Sequence, residues 1–216
     1  RAGLVYCWGR AESGLLGSAQ AIDVRTPTPV PGIDDAVDLD LGRARAAVVT
    51  RDGTVLGWGQ NVFGGFGWPD WVARADQPMG VARVEGAAEV AVSNAGVTIR
   101  TGARALHNVG LTPLCSIPSR GVETLTTSAH GCFLVAGAWM CCGGNDRGQL
   151  GHAGESSLAP VPFPRPGARA LFAQGSATWS IGADGTVACV GDCVLAAIPA
   201  TLGAVDEIAP GETFHC

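Results

Sequence analysis

The sequence contains no lysine: all 14 basic residues are arginine, against 19 acidic ones, for a net charge of −5. That balance disfavours sequence-independent binding to nucleic acid, which depends on neutralising phosphates. No apolar run approaches the roughly 18 to 20 residues needed for a membrane-spanning helix. The glycine-rich segments lack the Gly-Lys-Ser/Thr ending of a phosphate loop, so nucleotide binding has little support. There is no Gly-x-Ser-x-Gly and no His-Glu-x-x-His, and His107, His130, His152 and His215 stand in no nucleophile or metal signature. No catalytic residue and no cofactor are expected, and the chain reads as a non-enzyme.

What is abundant is glycine, 32 residues in 216, together with an apolar fraction of 47% that argues against disorder. The apolar residues come in short bursts between Gly, Pro and Asp, the pattern of many short strands. The chain is organised around Cys141–Gly151, CCGGNDRGQLG, a tightly folded turn. Two further stretches repeat it, WGRAESGLLG from Trp8 to Gly17 and WGQNVFGGFG from Trp58 to Gly67. Aligning Gly9, Gly59 and Gly143 superposes Gly14, Gly64 and Gly148, and then Gly17, Gly67 and Gly151.

Each turn follows a pair of strands. The runs around Asp52-Gly53 and Asp184-Gly185 read as hairpins with tight two-residue turns, as does the run around Ala136-Gly137. A degenerate copy lies around Thr101-Gly102, with His107 and Asn108 where Trp-Gly stands elsewhere. Five units result, keyed on Gly9, Gly59, Asn108, Gly143 and Gly191, with separations of 50, 49, 35 and 48 residues. Repeats of this length made of short strands point to an all-β propeller of four-stranded antiparallel blades. Pro-bearing stretches such as Pro27-Thr28-Pro29 suit blade edges, because proline cannot donate to a ladder. The expected organisation is one domain over residues 1–216, with units starting near 5, 55, 104, 139 and 187.

These residues resemble the repeat of the regulator-of-chromosome-condensation family, whose unit carries an Asp-Gly hairpin, Trp-Gly and then Asn-x-x-Gly-Gln-Leu-Gly. Asn145–Gly151 matches that motif fully and Asn61–Gly67 in part. The resemblance implies a rigid platform for binding macromolecules. Members usually have seven blades, so five units form either a smaller ring or part of a larger one. Gly211–Cys216 aligns with the hairpin strand Thr127–Cys132, whereas the N-terminus begins with a second strand. The expectation is therefore a ring of about five blades closed by strands from both termini.

Eight cysteines suggest disulfides and an oxidising compartment. The chain starts at Arg1, with no Met and no signal peptide, and reads as the processed or truncated form of an exported protein, periplasmic, envelope-bound or extracellular. The absence of lysine beside abundant Ala and Gly fits a GC-rich, bacterial source. A two-residue turn at Ala136-Gly137 puts Cys132 opposite Cys141, with Cα atoms about 4.5 to 5.5 Å apart. By alignment Cys7 takes the place of Cys141 and Cys216 that of Cys132, so a closed ring would join them, for roughly 4 to 5 kcal/mol in the chain-entropy model. The cross-strand partner of Cys189 is then Ser180, which leaves it to bond Cys193, and Cys115 and Cys142 remain as a pair. A metal site is the competing reading, but the spaced Cys-x-x-Cys pairs of zinc sites are missing, and no metal is expected.

The segment Asp34–Asp40 lacks the spacing of a calcium loop, and Asp38 and Asp40, alternating with Val37, Leu39 and Leu41, read as the solvated face of a strand. His130 reads as a buried structural histidine, and Trp8 and Trp58, at one repeat position, both read as core. Phe63, Phe66, Trp68 and Trp71 form an aromatic-rich loop, FGGFGWPDW, which is the expected binding surface for a protein partner. The functional expectation is an exported protein-interaction module. An exported relative of the fold inhibits beta-lactamases, so an enzyme inhibitor is one alternative. A carbohydrate-active propeller enzyme with two facing carboxylates is another. Nucleotide exchange on a small GTPase fits least, given the acidic charge and the cysteines.

Overall fold

The computed structural model describes residues 3–19, 22–94, 96–110, 115–193 and 205. The described residues form antiparallel strands, with short 3-10 turns at Glu12–Gly14 and Val62–Gly64, in two compact units, Arg1–Pro113 and Leu114–Cys216.

In the first unit β1 (Tyr6–Gly9) pairs with β2 (Val24–Pro29). A four-stranded meander follows, of β3 (Ala36–Leu41), β4 (Arg45–Thr50), β5 (Thr54–Gln60) and β6 (Arg74–Arg83). A three-stranded sheet of β7 (Ala87–Val92), β8 (Gly96–Thr101) and β9 (Leu106–Gly110) completes it. All six residues of β4 are buried, because its two faces enter different cores. Ala46 and Val48 meet Val5, Val30, Ile33 and Trp58, whereas Ala47 and Val49 meet Val90, Val92, Val97 and Ile99. Burying a valine contributes about 1.5 to 3 kcal/mol, so a strand apolar on both faces is what a stacked sheet requires.

The second unit repeats the plan with β10 (Val122–Thr127), β11 (His130–Val135), β12 (Ala138–Gly143) and β13 (Ser157–Pro162). Then come β14 (Ala168–Gln174), β15 (Ala177–Gly182) and β16 (Val187–Gly191). The fourth strands β2, β6 and β13 are the outer edges of their sheets, and they carry Pro27, Pro29, Pro78, Pro160 and Pro162.

The hairpins differ from expectation in length. Ala136 and Gly137, with φ of 49° and 74°, form the two-residue turn between Val135 and Ala138. The Asp-Gly hairpins instead have three-residue loops. Val49 faces Val55 around Arg51-Asp52-Gly53, and Ile181 faces Val187 with Gly182 N–H bonded to the Thr186 carbonyl. Gly53 and Gly185 close these loops at φ 81° and 79°. The extra residue shifts the register, so Cys189 faces Trp179, and Ser180 faces Ala188.

The third repeat is keyed on Gly110 rather than Asn108. Gly9, Gly59, Gly110, Gly143 and Gly191 share a φ between 91° and 114° at the same strand end. Val109 therefore stands where Trp58 stands in the second repeat.

The strand at Ala36–Leu41 is present with its faces reversed. Asp38 and Asp40 point inward, and Val37, Leu39 and Leu41 are exposed. The Asp38 carboxylate accepts the Val90 N–H at 2.7 Å and the Asp40 carboxylate accepts that of Val92 at 2.6 Å. The second unit uses hydroxyls for the same purpose: Thr126 accepts the Ala173 N–H at 3.0 Å and Ser128 that of Gly175 at 2.9 Å. Side chains of one sheet's first strand, and of the residue that follows it, thus satisfy edge N–H groups of the next sheet, which buried without partners would be costly.

Candidate functional site: the aromatic glycine turn

Asn61 and Asn145 hold their glycine turns from within. Asn61 is buried; its Oδ1 accepts the Phe66 N–H at 2.9 Å, and its Nδ2 donates to the carbonyls of Val72 and Trp68 at 3.0 and 3.3 Å. Asn145 repeats the pattern, accepting from Leu150 N–H at 2.9 Å and donating to the His152 and Gly154 carbonyls at 3.1 and 3.2 Å. The first turn has Ala11 at this position, and there the Asp23 carboxylate accepts the Ala11 N–H from outside. The role of the asparagine was open to sequence reading through its fixed spacing to the glycines.

Rigidly held in this way, the second turn separates its aromatic residues. Phe66 is fully buried and Trp68 is 8% exposed; their rings stack at 4.4 Å between centroids, and Trp68 Nε1 donates to the Gly80 carbonyl. These two are core, contrary to expectation, because Gly57 leaves the space that the Phe66 ring fills. Phe63 and Trp71, by contrast, are 73% and 84% exposed, with Val62 beside Phe63 at 43%. Phe63 sits at φ 60°, a left-handed conformation uncommon for a bulky residue. Arg45, buried beneath the turn, donates to the Val62 carbonyl at 3.0 Å, in space that Gly65 leaves free. Sequence reasoning missed this arginine; only its place on an otherwise apolar strand could have drawn attention to it.

Ser13 occupies the position of Phe63 in the first turn, also at positive φ (62°), and accepts a hydrogen bond from Gln60 Nε2. Arg147 occupies it in the third turn. Arg147 does not share the positive φ, so it is the first two turns that present this position on one backbone, as a hydroxyl and as a phenyl ring.

Trp58 is fully buried and donates from Nε1 to the Leu15 carbonyl at 2.9 Å, closing the first turn against the second sheet. Trp8 is not core: it is 59% exposed, since no described turn precedes it to receive its indole.

Disulfides join Cys132 to Cys141 (Cα–Cα 4.1 Å), Cys189 to Cys193 and Cys115 to Cys142. Cys142 holds the Trp58 position of its repeat. Cys7 is half-buried, its thiol pKa is raised by burial, and it is bonded to no described residue; Cys216 lies outside the described residues. His130 is buried, with Nε2 2.5 Å from the Thr178 hydroxyl and its pKa lowered to about 4 by burial. His107 and His152 are exposed, and His215 lies outside the described residues. Among the described residues no group of three or more His, Cys, Asp and Glu could hold a metal ion, and no helix is long and apolar enough to cross a membrane.

No family model matches the sequence. The chain is similar to the solved structure of Prp20p, the yeast RCC1, from Saccharomyces cerevisiae, with 17% identity over 88% of this chain and 54% of that one, and a TM-score of 0.69. It is also similar to human WBSCR16, with 19% identity over 88% of this chain and 61% of that one, at a TM-score of 0.68. The CRINKLY ectodomain of the Arabidopsis thaliana receptor kinase ACR4 matches at 13% identity over 79% of this chain and 56% of that one, at a TM-score of 0.50. The chain spans about half to three-fifths of the length of these proteins. At such identities the likeness concerns architecture: the chain has an all-β, RCC1-like propeller fold braced by disulfides.

Proposed function

We propose that the chain is an exported, non-catalytic protein-interaction scaffold whose binding surface is the exposed part of the second glycine turn: Val62, Phe63 and Trp71. The observation that carries this reading is the exposure of two large aromatic rings on a turn anchored by Asn61, Phe66, Trp68 and Arg45. Rigid aromatic anchors contribute most of the energy at protein interfaces and lose little entropy on binding. The fold neighbour Prp20p is known with its binding to Gsp1p and histones, and yeast RCC1 with bound Kap60, which supports a protein as the class of partner. Three disulfides and an ectodomain neighbour support an oxidising, extracellular setting.

The test is retention of proteins from the host's exported fraction on the immobilised chain, compared with Phe63→Ala and Trp71→Ala. Exposed substitutions of this kind change stability by less than about 0.5 kcal/mol. Loss of either anchor costs about 2 kcal/mol of binding, some thirty-fold in Kd. A partner retained equally by wild type and both variants overturns the assignment.

We also propose that the propeller has about five blades and closes through a Cys7–Cys216 bond. Support comes from the thiol of Cys7 and from β1, whose second edge pairs with no described strand. A non-reducing peptide map is expected to contain the Cys7–Cys216 crosslink; a free thiol at Cys7 in the oxidised protein overturns it.

A further inference from the structure

The three disulfides differ in what an attacking thiol can reach. Cys132, Cys141 and Cys142 are fully buried and Cys115 nearly so, which seals two of the bonds inside the second unit. Cys189 and Cys193 are half-buried, and both stand in the wall of an open, largely polar groove of about 610 Å3 along the Asn145–Gly151 turn. Thiol–disulfide exchange requires a thiolate to arrive at a disulfide sulfur, so access selects the bond that exchanges. The same bond is the one whose opening disturbs the fold least. It spans 4 residues of sequence, against 9 and 27 for the others, and a shorter loop constrains the unfolded chain less. Cys189 is also held in β16 by the ladder to β15, opposite Trp179, so backbone pairing supports the strand in either state of the sulfur.

The charge of the groove bears on which thiol it favours. Arg147 is exposed there, and its guanidinium forms no ion pair with a described residue. Asp146, the other charged residue of the lining, is engaged within the turn, where Oδ1 accepts from Gln149 Nε2 at 3.2 Å. A guanidinium pairs with carboxylates through its fork of N–H donors. A reachable disulfide beside an unpaired guanidinium is therefore complementary to a thiol that carries a carboxylate.

We propose that Cys189–Cys193 is an exchange site for small carboxylate-bearing thiols, drawn to the groove by Arg147. The thiolate attacks one cysteine sulfur, and the electron pair of the broken S–S bond leaves on the other. That sulfur takes up a proton in place of the one the incoming thiol lost, giving one mixed disulfide and one cysteine thiol. A second thiol then releases the small thiol as its own disulfide and leaves both cysteines reduced. Two electrons pass from two thiols to one disulfide, and no other oxidant or reductant takes part. The inference does not rely on the Phe63–Trp71 surface.

The test is incubation of the full oxidised chain with reduced glutathione or with cysteamine, which carries an amine and no carboxylate, at equal thiolate concentration and low ionic strength. Adducts are trapped with acid and located by peptide mapping. The expected first product is a mixed disulfide on Cys189 or Cys193, formed at least about ten-fold faster than any reaction at the buried pairs. Glutathione should react about five-fold faster than cysteamine, and Arg147→Ala, an exposed substitution that leaves the fold intact, should bring that ratio close to one. First reaction at Cys132–Cys141 or Cys115–Cys142, no adduct at all, or a wild-type rate ratio that Arg147→Ala does not change overturns the proposal. The outcome reads the groove alone, so its failure leaves the Phe63–Trp71 surface standing, and the reverse also holds.

Discussion

Lowering the pH from 7 to 5 is expected to stabilise the first unit and to destabilise the second. In the first, burial pushes the Asp40 carboxyl from 3.8 up to about 6, opposed by the Val92 and Leu41 N–H groups, and burial raises Asp38 as well. A group whose pKa is raised by folding binds protons more tightly in the native state. Its contribution is fully present below the unfolded value and is lost as the pH rises through about 6. Acidification from 7 to 5 therefore returns about 1 kcal/mol. In the second unit His130 is lowered from 6.5 to about 4 by burial, so the sign is opposite. Its contribution is present above 6.5 and is lost as the pH falls toward 4, for about 2 kcal/mol between pH 7 and 5.

Amide exchange read by mass spectrometry separates the two responses. Peptides from β3, β4 and β7 should gain protection at pH 5 after correction for the intrinsic rate, and those from β11 and β15 should lose it. Asp40→Asn keeps a carbonyl oxygen for the Val92 N–H and leaves the exposed Leu41 N–H to water. The pH response of the first unit should flatten in this variant while that of the second is unchanged. Parallel responses in both units would contradict the assignment of Asp40 and His130.

Asn145→Ala is expected to cost about 3 kcal/mol, because it strands a buried N–H and two carbonyls at once. For a unit of this size that is a fall of more than about 10 °C in Tm. Asn61→Ala should act similarly on the first unit. Arg147→Ala, two residues along and exposed, is the control and should stay within about 0.5 kcal/mol. Equal effects of Asn145→Ala and Arg147→Ala in thermal melts would show that the turn is held by its glycines alone.

Strands, repeats and edge prolines were legible in the sequence because each is a local signal: short β-rich bursts, coincident glycines, and a residue without an N–H. The pairing of Cys132 with Cys141 followed from one turn length. Facing was harder to read. Asp38 and Asp40 alternate with apolar residues as a solvated face would, yet the identity of the outward face depends on which neighbouring sheet needs acceptors. The same limit applies to the aromatic loop. Phe66 and Trp68 are buried because Gly57 vacates a hollow across the sheet, and no spacing within the loop announces that. Trp8 and Trp58 share a repeat position but differ in what precedes them. The three-residue hairpins escaped because Asp-Gly serves equally well in a loop with glycine at its last, left-handed position.

The most direct test of the scaffold reading is site-specific photo-crosslinking from position 63 in the exported fraction of the host, with position 13, its counterpart in the first turn, as the matched control. The account predicts a discrete protein adduct at 63, absent at 13 and lost when Trp71→Ala is added. Equal adducts at both positions, or none at 63, would contradict it.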